Sequence, residues 1–191
     1  MRLFIALELP EAALEVIGKV QEQLKRAIPD RAVRWVQLDS IHLTLKFLGD
    51  VNQKQVAALQ EALTAAAAGH RRLNLTIEGL GCFPNSQRPR VIWVGVGGDR
   101  PQLAALQDSV EQHIAPLGFP PEGRGFTPHL TLGRTQRHAS RDEQLEIGRA
   151  VERGLQNPAI EWQAEAVSLI QSDLRPSGAV YTTVYRVGLE P

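Results

Sequence analysis

The chain of 191 residues holds a single cysteine, Cys82. One thiol excludes an internal disulfide and a cysteine-based zinc knuckle, and it fits a reducing compartment. Neither sign of charge is in excess: 21 Lys and Arg face 21 Asp and Glu. A long, sequence-blind nucleic-acid track needs a basic surplus, so that class is excluded. A short anionic substrate held by a few arginines is not. No apolar run approaches the roughly 20 residues of a membrane helix. The opening stretch, Met1 to Pro10, is too short and too soon acidic for a signal-peptide core. The expectation is a soluble, cytoplasmic monomer. Also missing are a Gly-x-x-x-x-Gly-Lys loop and a dinucleotide-binding glycine fingerprint, so nothing points to a triphosphate site. Low-complexity segments and long linkers are absent too. The length and the ordinary hydrophobic share of 43% fit one domain spanning residues 1–191.

What the chain has is a repeated tetrad. His42-Leu43-Thr44-Leu45 returns as His129-Leu130-Thr131-Leu132, a little under half a chain later. A histidine inside an apolar run is a polar group that needs a reason to be there. Around the first copy, His42, Thr44 and Lys46 alternate with Leu43, Leu45 and Phe47. Period two marks a strand with one packed face. On a strand His42 and Thr44 point the same way, as do His129 and Thr131, and the leucines point into a core. Lys46 is expected on the face of His42, at the strand's exposed end. Pro128 pushes Thr127 toward an extended backbone, which leads into a strand.

The remaining chain alternates strands and helices. Leu3 to Leu7 reads as a buried strand. A helix opens at Pro10-Glu11 and runs to about Ala27, with Leu14, Ile17, Val20 (or Gln21) and Leu24 at helical spacing. Val33 to Val36 is a short extended piece. Asn52 caps a helix through Val56, Leu59 and Leu63. Leu73–Leu80 and Val91–Val96 read as strands around a polar loop, Phe83 to Arg90. Pro101 starts a helix with Leu103, Leu106, Val110 and Ile114 on one face. A Pro/Gly-rich loop follows from Pro116 to Gly125. Asp142 to Leu155 reads as a charged, exposed helix. Ile160–Leu169 and Val180–Val187 read as two last strands, joined through Arg175-Pro176-Ser177-Gly178. Several strands adjoin without a helix between them, which favours antiparallel pairing. The fold class expected is α+β: two pseudo-symmetric lobes, each an antiparallel sheet with helices on its outer face, around a central cleft.

Two imidazoles facing each other across such a cleft can divide acid and base work, since histidine titrates near neutrality. Threonine hydroxyls add neutral donors. The kit suits an electrophile with negative oxygens between an incoming and a leaving oxygen, and a phosphodiester is the obvious candidate. A zinc site is poor, because two histidines lack a third ligand.

The repeated His-x-Thr-x tetrad resembles the signature of the 2H phosphoesterases. The flanks resemble the RNA 2′,3′-cyclic phosphodiesterase branch, also called 2′-5′ RNA ligase-like. The likeness includes Arg2-Leu3-Phe4-Ile5-Ala6-Leu7, the run from His42 to Gly49, Pro89 to Val96, and Phe126 to Arg134. The resemblance implies metal-independent and cofactor-free opening of a 2′,3′-cyclic phosphate at an RNA end, giving a 2′-phosphate. It implies His42 as proton donor to the leaving 3′-oxygen and His129 as the base on water. Thr44, Thr131 and Arg134 would hold the phosphate, and an arginine fork suits that task. Some members also join RNA ends reversibly through a 2′-5′ linkage.

Other readings stay open. The partner is RNA with a 2′,3′-cyclic phosphate end or a small cyclic nucleotide. The substrate could instead be a 2′-5′ oligonucleotide, another cyclic nucleotide or ADP-ribose cyclic phosphate, chosen by loops 83–90, 116–125 and 171–178. A catalytically lapsed RNA-end-binding module is the alternative from another class, though both histidines and both threonines are kept. His70, His113 and His138 read as solvated. Trp35, Trp93 and Trp162 read as core residues, and Cys82 as a buried one. Arg88 and Arg90 either touch RNA or keep their loop soluble.

Overall fold

The computed structural model describes residues 1–154, 160–175 and 178–191. Leu155, at the end of the fourth expected helix, and Pro176-Ser177 of the last loop lie outside the described residues. In chain order the elements are β1 (Arg2–Glu8), α1 (Glu11–Ala27), β2 (Val33–Trp35), β3 (His42–Asp50), α2 (Val56–Ala67), β4 (Leu73–Phe83) and β5 (Val91–Gly98). Then come α3 (Arg100–Ile114), β6 (His129–Thr135), α4 (Arg141–Arg153), β7 (Ile160–Ala164), β8 (Ala166–Arg175) and β9 (Gly178–Gly188).

The helices form where the spacing and the caps direct. In α1 the buried stripe is Ala13, Ile17, Val20, Gln21 and Leu24, so a glutamine sits within it. In α3 Leu103, Leu106, Val110 and Ile114 are buried, as expected, together with Gln107 and Glu111. Asn52 makes a capping box with Gln55 in the turn before α2. Ser140 makes another with Glu143 at the start of α4. That helix is less exposed than its charge suggests. It buries Ile147, Gly148 and Val151, and a Cβ on Gly148 would lie 1.9 Å from the Ser86 carbonyl oxygen. The expected strand Ile160–Leu169 is two strands, parted at Glu165, because β7 pairs with β4 while β8 pairs with β1.

The nine described strands join one antiparallel sheet in the order β7-β4-β5-β6-β3-β1-β8-β9, with β2 also on β6. The fold is α+β. The two halves of the chain, each with one tetrad, do not form separate units, because they interleave. β1 and β3 lie beside β8 and β9, while β4 and β5 lie beside β6 and β7. Likewise α2 and α3 pack together and against β3, β8 and β9, whereas α1 and α4 contact each other and pack against β7 and β4 respectively. The core beneath is aliphatic, and Leu7, Ile17, Leu43, Leu59, Leu106, Leu130 and Leu132 have no exposed surface. No described helix is long and apolar enough to cross a membrane.

Candidate active site

β3 and β6 carry the two tetrads and lie side by side. Among the described residues they pair antiparallel at one position, Leu43 with Leu130. That register sets His42 across from Thr131 and Thr44 across from His129. Both central leucines are fully buried, whereas the four polar residues are half-buried on the opposite face. Strand alternation thus turns two histidines and two threonines to one side of the seam.

Each imidazole is held by its own strand. His42 Nδ1 lies 2.9 Å from the Ser40 carbonyl oxygen, and His129 Nδ1 lies 2.7 Å from that of Thr127. A carbonyl oxygen only accepts, so in both rings Nδ1 carries the hydrogen and donates it. Nε2 is left as the atom that takes or gives a proton. The two sites repeat each other in this detail, two residues back along each strand.

Aromatic rings line both histidines. His42 stacks at a tilt on Phe4, centroids 4.4 Å apart, and meets Tyr181 edge-on at 5.2 Å. His129 meets Phe83 edge-on at 4.9 Å and lies 6.4 Å from Trp93. Trp93 is therefore not the core residue expected. It pairs across the strands with Thr131 and shares its face, and its ring lies over Gly81, where a Cβ would sit 2.2 Å from it. Trp162 is core, as expected, and Cys82 is buried.

Burial pushes His42 down to about 4, against the opposing pull of the Ser40 hydrogen bond and the Glu8 charge. The ring is therefore neutral at pH 7. Burial raises Tyr181, and the charges of Arg134 and Arg2 oppose that rise. Arg134 thus lies within electrostatic reach of the phenol that touches His42.

A pair of β-bulges explains how Arg134 comes to this face. Along β1 the partner of Ile5 is Lys46 and that of Ala6 is Thr44, so Leu45 is skipped. Along β5 the partner of Ile92 is Gly133 and that of Trp93 is Thr131, so Leu132 is skipped. The last leucine of each tetrad is the extra residue, and its carbonyl finds a partner off the ladder. Gln107 Nε2 donates to the Leu45 oxygen at 3.3 Å, and Gln21 Nε2 donates to the Leu132 oxygen at 2.8 Å. Gln21 also donates to the Val36 oxygen at 2.8 Å. One extra residue reverses the face of everything after it. In an unbroken strand Arg134, five residues past His129, would point away. After the bulge it is exposed on the face of His129 and Thr131, and Gly133 turns inward, where a Cβ would meet Val33 Cγ1 at 2.7 Å.

The same reversal corrects the expectation for Lys46. It does not share the face of His42. It is turned under the sheet, 1% exposed, where Nζ is ion-paired with Glu111 and donates to the Pro120 carbonyl at 2.9 Å. Phe47 takes the outward place instead. Tyr181, Phe4, Gln21 and Gln107 are contributors that the motif reading missed. The one signal for Gln21 was a polar residue inside an apolar helical stripe.

Among the described residues, no three His, Cys, Asp or Glu side chains gather where they could hold a metal ion. The family model described as the 2′-5′ RNA ligase superfamily matches residues 9–176. The chain belongs to that superfamily. Among its relatives, the RNA 2′,3′-cyclic phosphodiesterase of Methanothermobacter thermautotrophicus is 35% identical over 185 residues, 95% of each chain. The protein of the same name from Thermotoga maritima is 30% identical over 191 residues, 100% of this chain and 96% of its own. Of the solved structures similar to the chain, one from Thermus thermophilus superposes with a TM-score of 0.78 at 26% identity, covering 99% of this chain and 98% of that one. E. coli LigT complexed with 3′-AMP gives 0.73 at 25% identity, with 98% and 97% covered.

Proposed function

We propose that the protein hydrolyses 2′,3′-cyclic phosphate ends of RNA to 2′-phosphomonoesters, by acid–base catalysis between His42 and His129 and without a metal or cofactor. The observation that carries this reading is the meeting of both tetrads at Leu43 and Leu130, with both rings donating from Nδ1 to backbone carbonyls. The relatives' shared name, RNA 2′,3′-cyclic phosphodiesterase, supports the substrate class. In this reading residues 1–191 work as one bilobal unit and a monomer. β9-β8-β1-β3 forms one lobe, β7-β4-β5-β6 the other, and the substrate lies in a cleft along their seam.

The chemistry follows from placing an in-line displacement across that seam. His129 Nε2 takes a proton from water as its oxygen attacks phosphorus. The bond to the 3′-oxygen breaks, and His42 Nε2 gives that oxygen a proton. The product is a 2′-phosphate with a free 3′-hydroxyl. Thr44 and Thr131 donate to the non-bridging oxygens, and Arg134 balances their charge. His42 is neutral before substrate arrives, and the bound anion favours its protonated form. Ligation uses the same two groups in the same roles. The 5′-hydroxyl of a second RNA takes the place of water, gives its proton to His129 and attacks the cyclic phosphate. The 3′-oxygen leaves with a proton from His42, and a 2′-5′ linkage results. Cleavage of that linkage back to the cyclic phosphate exchanges the roles.

A second assignment has one observation in its favour. Because burial holds His42 near 4, His42 is ready to serve as base, with His129 as acid. That pose releases the 2′-oxygen and leaves a 3′-phosphate. The test of the reading as a whole is a panel of 2′,3′-cyclic, 2′-5′ and 3′-5′ substrates with a chelator present. Turnover of the cyclic ends, and not of the 3′-5′ substrates, is expected, undiminished by chelation. Loss of activity restored by zinc or magnesium would overturn it.

A further inference from the structure

The three-residue strand β2 lies on β6 just past the bulge. Its register pairs Val33 with Thr135, Arg34 with Arg134 and Trp35 with Gly133. Residues directly opposite in an antiparallel pair share a face. Val33 and Trp35 turn to the core, where a Cβ on Gly133 would meet Val33 at 2.7 Å and Trp35 at 3.1 Å. Arg34 therefore stands with Arg134 on the outer face, the face of His129 and Thr131, and both arginines are exposed.

Like charges directly opposite each other weaken a sheet. Among the described residues neither guanidinium makes an ion pair; the arginines that do are Arg31, Arg72 and Arg175. The chain as a whole has no basic excess, so the doublet is a local feature. The bulge at Leu132 creates it, since without the extra residue Arg134 would turn inward. Gln21 then fastens the two strands, donating to Val36 just past β2 and to Leu132 of β6. Two forks fixed side by side bind two anionic groups, and arginine is the residue that does so bidentately.

We infer that Arg34 and Arg134 form a two-phosphate clamp, Arg134 on the reacting cyclic phosphate and Arg34 on a second phosphate carried by the 5′-oxygen of the same ribose. This rests on the reading of His42, His129 and Arg134 proposed above. A nucleoside 2′,3′-cyclic phosphate fills one position of the clamp. The end of an RNA chain, or a small nucleotide phosphorylated at its 5′-oxygen, fills both.

The test compares kcat/KM for three substrates: cytidine 2′,3′-cyclic phosphate, the same nucleotide bearing a 5′-phosphate, and a cytidine dinucleotide ending in a 2′,3′-cyclic phosphate. Wild-type protein should prefer the second and third over the first. Arg34→Ala should cut that preference about tenfold, the scale of one charge-assisted hydrogen bond, and Arg34→Lys should restore part of it. The salt dependence for the dinucleotide should lose roughly 0.7 in logarithmic slope, one phosphate contact of a single strand. Equal preference for the second and third substrates means that any 5′-phosphate is read; preference for the third alone means that the RNA diester is. A wild type without preference, or an Arg34→Ala protein that slows on all three alike, overturns the clamp. Turnover of the first substrate separately tests the underlying reading, and a wild type inactive on all three would remove that reading and the clamp with it.

Discussion

Leu43 and Leu130 pair across the seam between β3 and β6, the one register pair those strands share among the described residues. Both are fully buried. Their burial turns His42, Thr44, His129 and Thr131 to the opposite face, so the site is a by-product of core packing at one point. Neither half of the chain can build it alone, because the strands on each side of the seam come from both halves.

Beneath that seam, Lys46 and Glu111 join β3 to α3 in the core, and Lys46 also holds the Pro120 carbonyl of the loop before the second tetrad. Lys46→Met leaves the Glu111 carboxylate buried without its cation. It should destabilise the protein by about 3–5 kcal/mol, whereas Lys46→Met combined with Glu111→Leu should recover most of the loss. Urea unfolding of the three variants measures this. A cost below about 1 kcal/mol for the single variant would contradict it.

His42 supplies a pH dependence of known sign. Its folded pKa, about 4, lies below the unfolded value near 6.5. Between the two, the unfolded chain holds the extra proton, so stability rises with pH across that window and levels off above it. The contribution is about 3 kcal/mol at neutral pH if the full difference is expressed. Unfolding free energies of wild type and His42→Asn from pH 4 to 7 should converge at the acid end and part toward pH 7. Parallel curves would mean that His42 is not held neutral by burial.

Much of this is legible in the sequence, and the two side chains placed on the wrong face by alternation share one cause. Period two places His42 and Thr44 together, and His129 with Thr131, because alternation holds over three residues. It fails from Leu45 and Leu132 onward, where an inserted residue reverses the faces. Alternation sends Lys46 outward, and it is buried. Arg134 reaches the phosphate in the sequence reading by family likeness alone, against its own parity. No local pattern announces either bulge: the carbonyls of the extra leucines are met by Gln21 and Gln107 from distant helices, and that of Leu132 also by the Val36 N–H. The interleaving of the chain's halves is hidden for the same reason: strand order is a long-range property, and the tetrads alone do not encode it.

Gln21 is the point at which that bulge can be tested. Gln21→Met keeps the volume and removes the bonds to Leu132 and Val36, at a cost of about 1–3 kcal/mol. If the bulge exists to aim Arg134, Gln21→Met should lower kcat/KM on a cyclic phosphate about as far as Arg134→Ala does. The double variant should then be little worse than Arg134→Ala alone. Fully additive losses would show that Gln21 serves stability and not the direction of Arg134.

The most direct measurement follows the phosphorus itself. A dinucleotide ending in a 2′,3′-cyclic phosphate is hydrolysed by wild type, His42→Ala, His129→Ala and the double variant, and the product is assigned by phosphorus NMR. Wild type should give the 2′-phosphate alone. Each single variant should lose about 10²–10⁴ in rate, and the double variant should be little slower than either, because the two groups act as a unit. A pure 3′-phosphate would reverse the roles of the two histidines. Near wild-type turnover in either single variant would contradict the pairing of His42 with His129 altogether.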